Sequence, residues 1–354
     1  MTKQLMKGNE AIGAAAIAAG CRYFFGYPIT PQSELPEYMS RELPLAGGVF
    51  LQAESEIAAI NMVYGAAGSG ARVMTSSSSP GFALKQEGMS YIAGAELPAL
   101  VVNVMRGGPG LGSIQPSQTD YYMVTRGGGN GDYRTIALAP ASVQELVDMV
   151  ILSFDLADKY RNPVVVCADG VLGQMMEPVE FPKRDKVELP AKDWAATGTG
   201  GKRKPNIINS LYLSPEILEE HNRHLKKKYE TITENEVRFE EDGTEDADLV
   251  IAAFGTTSRM VKSAIEQLRA DGYKIGLIRP ITLWPFPFAP FKKLPDSVKG
   301  ILTVEMNTGQ MIDDVRIAVE GKMPVFHYGR YGGMIPVVED IVEETKRVLE
   351  DLKR

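Results

Sequence analysis

Cysteine and histidine are scarce in this 354-residue sequence and an excess of basic charge is absent, and each lack removes a class of chemistry. The two cysteines, Cys21 and Cys167, lie in apolar strand-like runs without CxxC spacing. They are expected as buried thiols in a reducing cytoplasm, and alone they cannot hold an iron–sulfur cluster. Of the three histidines, His221 and His224 fall in a charged stretch and His327 in a late apolar run. No HExxH and no Ser-His-Asp arrangement is readable. An enzyme made of these residues must therefore take its reactive group from a cofactor. The net charge of −7 argues against a nucleic-acid surface. No apolar run approaches the ~18 residues of a membrane span. Met1–Gln4 leads into a small-residue helix, so no secretory leader is expected.

What is present is an alternating α/β pattern organised around Gly26-Tyr27-Pro28-Ile29-Thr30-Pro31. The apolar run Cys21–Phe25 reads as a buried strand, and the two prolines end it in a stiff turn with fixed φ. Open α/β sheets bind ligands at the carboxyl ends of their strands. Thr30 carries the one hydroxyl in this turn. The alternative is an ordinary strand-to-helix connection with Pro31-Gln32-Ser33-Glu34 opening the next helix.

Three later strand ends carry further polar groups. Val49–Gln52 runs into a small-residue helix that starts at Glu54-Ser55-Glu56, where carboxylates suit the helix dipole or could face a cleft. Arg72–Thr75 ends in Ser76–Ser79 and Pro80-Gly81, either a plain turn or a hydrogen-bonding loop. Leu100–Met105 gives way to Arg106 and a run of four glycines and a proline, which is neither a Walker loop nor a GxGxxG turn. A buried arginine needs a carboxylate, internal or from a substrate. Gln115–Gly131 reads as a long loop without structure of its own, functional or interfacial.

The strand–helix alternation over 1–178 predicts a doubly wound parallel sheet. Residues 179–246 read as a charged linker holding one exposed helix, its basic triplets (Lys183–Lys186, Lys202–Lys204, Lys226–Lys228) being solvated surface. A second α/β domain is expected over 247–354.

These residues together carry a resemblance. Tyr27–Pro31, Gln52–Glu56, Thr75–Gly81 and Asn103–Gly110, with Ala253–Thr256 and Glu305–Gln310 in the second half, resemble the α subunit of 2-oxoacid:ferredoxin oxidoreductases. Among these, the branched-chain (3-methyl-2-oxobutanoate) members look most similar, with the 2-oxoglutarate members as the alternative. The resemblance implies a thiamine-diphosphate, pyrimidine-binding-type N-terminal domain and a transketolase C-terminal-like second domain. It implies CoA-dependent oxidative decarboxylation of a 2-oxoacid, with electrons passed to ferredoxin. A non-catalytic assembly subunit of the same fold is the competing class. By resemblance Glu56 matches the glutamate that hydrogen-bonds N1′ of the thiamine diphosphate aminopyrimidine, with Glu54 as its neighbour. Pro28 would lie against that ring, and Thr30 and Arg106 would face the 2-oxoacid. The family pattern puts Mg2+ and the 4Fe-4S clusters on partner chains: a β subunit with the diphosphate site, a γ subunit and a ferredoxin-like δ subunit. Self-association is also expected.

Overall fold

The computed structural model describes residues 3–182 and 188–354. The chain opens with β1 (Gln4–Lys7) and α1 (Gly8–Ala18), then alternates through β2 (Tyr23–Gly26), α2 (Glu34–Leu45), β3 (Val49–Gln52), α3 (Glu56–Gly68) and β4 (Val73–Ser77). Two short helices, α4 (Ser79–Leu84) and α5 (Gln86–Gly94), precede β5 (Ala99–Met105). α6 (Tyr121–Arg126), β6 (Ile136–Leu138), α7 (Val143–Tyr160), β7 (Pro163–Asp169), α8 (Gly170–Gln174) and β8 (Met176–Val179) complete the first half. A single helix, α9 (Pro215–Asn235), follows. The second half runs through β9 (Phe239–Asp242), β10 (Leu249–Ala252), α10 (Thr257–Ala270), β11 (Ile275–Pro280), β12 (Thr282–Trp284) and α11 (Phe288–Lys292). It closes with β13 (Gly300–Glu305), α12 (Met311–Val319), β14 (Val325–Gly329) and α13 (Val338–Asp351).

The first sheet has seven strands in the order β12-β6-β7-β5-β4-β2-β3, and β2 to β7 are parallel. β5 and β7 are buried along their whole length, as the continuous apolar runs Ala99–Met105 and Pro163–Asp169 require. Ile12, Leu35, Met39 and Phe154 cover one face, and Ile60, Phe82, Met89 and Ile92 the other. The second sheet has the order β14-β13-β10-β11-β9 and is parallel except for its edge strand β9.

Helix caps follow local sequence. Ser142 Oγ accepts the N–H of Glu145 at 3.1 Å to start α7, and Ser55 Oγ accepts that of Ala58 at 3.2 Å to start α3.

Several features depart from the sequence expectation. The N-terminal residues form β1, antiparallel to β8, before the first helix begins. Within 115–131, α6 packs through Tyr121 on Phe254 and through Arg126 on Asp314. Phe239–Asp242, expected in the linker, is an edge strand of the second sheet. β12, from the second half, pairs antiparallel with β6 and extends the first sheet. α9 is not wholly exposed, because Leu225, Tyr229 and Ile232 bury one face. Lys228 is likewise drawn inward, 10% exposed beside Glu96 at 3.3 Å, whereas Lys202–Lys204, Lys226 and Lys227 are solvated. The triplet Lys183–Lys186 lies outside the described residues. Cys21 and Cys167 are free and buried, and desolvation pushes both thiols up, Cys21 to about 12.

Candidate active site

The chain lays β3 on one side of β2 and β4 on the other, so the winding direction reverses at β2. Such a switch point opens a crevice at the carboxyl ends of the strands. The proline turn follows β2, Glu56 follows β3, the serine loop follows β4 and Arg106 follows β5.

The proline turn is braced from within. Gln32, fully buried, accepts a hydrogen bond from Ser76 Oγ at 2.5 Å. The Pro31 carbonyl accepts the Asn9 side-chain amide at 2.8 Å. The Thr30–Pro31 peptide is cis. This bracing leaves Tyr27, Pro28 and Thr30 exposed on the rim.

Glu54 and Glu56 separate cleanly. Glu54 is exposed at the loop, whereas Glu56, the first residue of α3, is 6% exposed. Its carboxylate accepts no hydrogen bond from the described residues. Gly81 packs directly on it, since a Cβ there would stand 2.4 Å from Glu56 Oε1 and 2.3 Å from Ser77 Oγ. The adjacent Ser77 and Ser78 hydroxyls are buried without partners among the described residues.

Arg106 is 8% exposed. Its Nη1 donates to the Thr30 carbonyl at 2.9 Å and its Nη2 to the Leu111 carbonyl at 2.9 Å, while Nε has no partner among the described residues. Among the described residues it forms no ion pair. An internal carboxylate partner for Arg106 is therefore not found, and main-chain carbonyls hold the guanidinium instead. Its peptide is anchored by Ser79, which accepts the Arg106 N–H at 2.9 Å and donates to Asp120 Oδ2 at 2.6 Å. Asn103 donates to the same Asp120 oxygen at 2.8 Å. Burial nevertheless holds the Asp120 carboxyl above its usual range.

The structure thus brings Thr30 and Arg106 into contact and joins the Arg106 strand end to the serine loop that packs on Glu56. Sequence reasoning did not single out Gln32, Asp120 or Lys85, and it offered Ser79 only as part of the Ser76–Ser79 loop. Gln32 and Ser79 find side-chain partners 44 and 41 positions away, and Asp120 accepts from Ser79 and from Asn103, 41 and 17 positions away. Lys85 is fully buried between α4 and α5.

Residues 14–241 match the family model described as pyruvate flavodoxin/ferredoxin oxidoreductase, thiamine-diphosphate binding. Residues 247–341 match pyruvate:ferredoxin oxidoreductase core domain II. The chain belongs to the 2-oxoacid:ferredoxin oxidoreductase family. It is 51% identical to ketoisovalerate oxidoreductase subunit VorB of Methanothermobacter marburgensis, over 98% of each chain. With 2-oxoglutarate synthase subunit KorA of Methanothermobacter thermautotrophicus it shares 37%, over 97% of this chain and 98% of that one. It superposes on the 2-oxoglutarate:ferredoxin oxidoreductase of Magnetococcus marinus, solved with 2-oxoglutarate, coenzyme A and succinyl-CoA bound. That match has a TM-score of 0.89 at 31% identity, covering 98% of this chain and 65% of that one. A split-gene transketolase at TM-score 0.61 and 14% identity shares the fold. The two-domain α/β architecture of this 2-oxoacid:ferredoxin oxidoreductase chain is thus the transketolase-like one, with a thiamine-diphosphate-binding N-terminal region. No helix among its described residues is long and apolar enough to cross a membrane.

Proposed function

We propose that this chain is the α subunit of a branched-chain 2-oxoacid:ferredoxin oxidoreductase. The reaction converts 3-methyl-2-oxobutanoate and CoA into 2-methylpropanoyl-CoA, CO2, a proton and two electrons, which two ferredoxins accept. The observation that carries this substrate over 2-oxoglutarate is the identity of 51% with a ketoisovalerate oxidoreductase subunit, against 37% with a 2-oxoglutarate synthase subunit.

The residues fit an aminopyrimidine. A buried carboxylate with its acceptor capacity unspent stands at the switch point, walled by a glycine that admits no side chain. Glu56 would hold the ring nitrogen N1′ and share its proton, and Pro28 would flank the ring. Bound thiamine diphosphate supplies the carbon nucleophile and the electron sink for decarboxylation. Arg106 would grip the substrate carboxylate, because a buried guanidinium without an internal counter-charge is completed by an anion. Thr30, exposed on the same rim, would donate to the 2-oxo oxygen. Glu54, outside the crevice, has no part in this scheme.

Mg2+ and the 4Fe-4S clusters would reside on partner subunits: a β subunit completing the diphosphate site, a γ subunit and a ferredoxin-like δ subunit. The domain limits 1–178, 179–246 and 247–354 are retained as a working division, with β9 and β12 crossing between its parts. Cytoplasmic residence fits two reduced cysteines and ferredoxin as acceptor.

The test is co-purification with the partner chains, followed by CoA-dependent ferredoxin reduction with 3-methyl-2-oxobutanoate, 2-oxoglutarate and pyruvate. Highest kcat/KM for 3-methyl-2-oxobutanoate is expected. Preference for 2-oxoglutarate would overturn the substrate, and an active complex lacking this chain would overturn the catalytic role. Purified alone, the chain should be colourless, and stoichiometric iron in it would overturn the division of cofactors.

A further inference from the structure

Lys85 is fully buried at the joint between α4 and α5, an unusual place for an ammonium group. Its Nζ donates to Thr75 Oγ1 at 3.1 Å and to the main-chain carbonyl of Glu56 at 3.4 Å. The lysine therefore ties the end of β4 to the first turn of α3. It forms no ion pair within 4.0 Å among the described residues, so its charge is only loosely compensated.

The surroundings identify what it acts on. β4 brings Thr75 and neutral serines, and α5 brings Glu87, which is exposed. α3 brings Glu56, whose field is the charge acting on Lys85. Burial pushes the ammonium down to about 8, and Glu56 pulls in the opposite direction. A hydrophobic side chain would fill this position without that desolvation cost. Packing alone does not account for a lysine here.

We propose that Lys85 is a positioning residue for Glu56: it pins the first turn of α3 from beneath and supplies the positive charge that keeps the Glu56 carboxylate ready to receive the cofactor ring. This rests on the reading of Glu56 given above. Lys85 touches neither cofactor nor substrate in this scheme and acts through Glu56. It titrates within reach of working pH, so binding of thiamine diphosphate should carry an inflection near pH 8 that belongs to Lys85.

The experiment has two arms. In the apo complex, lysine side chains are carbon-13 labelled and titrated by NMR. Lys228→Arg removes the other lysine among the described residues that burial lowers to about 8. Lys85 should titrate near 8, and in Glu56→Gln its midpoint should fall by about one unit, because the negative field that raised it is gone. An unchanged midpoint overturns the proposal, and this arm needs no substitution at Lys85. In the second arm, calorimetry follows thiamine diphosphate binding to the assembled complex between pH 6.5 and 9. Lys85→Met should bind about tenfold more weakly and lose the inflection near pH 8, without a fall in melting temperature. Wild-type affinity and pH profile in Lys85→Met overturn the proposal. Failure of the underlying reading looks different, since Glu56→Gln would then also bind normally. A failed Lys85 proposal leaves Glu56→Gln impaired and Lys85→Met normal.

Discussion

Arg106 and Thr30 meet through the main chain, with the Arg106 guanidinium donating to the Thr30 carbonyl at 2.9 Å. The Thr30 hydroxyl is left without a hydrogen bond among the described residues, and the arginine is locked before any ligand arrives. A second carbonyl, that of Leu111, holds the other arm of the fork. The two groups proposed to face the 2-oxoacid are thus a single preorganised unit.

Arg106→Lys should cost little stability, about 1–2 kcal/mol for the hydrogen bonds lost, because no internal carboxylate is stranded. It should lower kcat/KM for every 2-oxoacid by a similar factor, since all share the carboxylate and lysine lacks the planar fork. Melting temperatures read beside kinetics with branched and linear substrates decide the matter. A large loss of stability with normal turnover would return Arg106 to a structural role.

Glu56→Gln should leave the fold intact. The carboxylate at the first turn of α3 contributes about 1 kcal/mol or less through the helix dipole. Turnover of the assembled complex should fall by orders of magnitude, because an amide cannot exchange the ring proton. Glu54→Gln, altering an exposed side chain, should be near normal in the same assay. The reverse result would reassign the role.

Gly81→Ala tests the wall of the site without touching a charge. The added methyl would stand 2.4 Å from Glu56 Oε1 and 2.3 Å from Ser77 Oγ, so the carboxylate must move. Misplacement of this size costs about a hundredfold in rate when geometry governs catalysis. Thiamine diphosphate affinity should fall together with kcat, and wild-type values for both would show that Glu56 has slack.

Lys228 gives a pH prediction whose sign follows from burial. Its ordinary value of 10.5 is pushed down to about 8, chiefly by desolvation and against the pull of Glu96. Between those values the unfolded chain binds more protons than the folded one, so stability rises with pH across that window. Relative to Lys228→Met, the wild type should gain about 3 kcal/mol between pH 8 and 10.5 and be flat below 8. Denaturant melts of both proteins across this range make the comparison, and parallel curves would mean that Lys228 titrates as a solvated lysine.

Much of this protein is written in short-range pattern. The apolar runs at β2, β5, β7 and β10 and the capping serines at 55 and 142 depend on neighbours within a few positions, so the alternating α/β order was legible from sequence. The four polar strand ends were legible too, and with them Thr30, Glu56 and Arg106 as candidates. Tertiary structure alone decided which of them are inside. Glu54 and Glu56 are two residues apart in one acidic motif, yet only Glu56 is carried under Gly81 by the start of α3. Arg106 was expected to need a carboxylate and found the carbonyl of Thr30, 76 residues away. β12 joins the first sheet against β6 across about 140 residues of chain, and Lys85 is buried where β4 and α3 meet the joint between α4 and α5. Local sequence sets backbone periodicity and caps, whereas burial of a charge is set by which distant elements pack over it. Long-range packing therefore decided the environment of every charged group in the site.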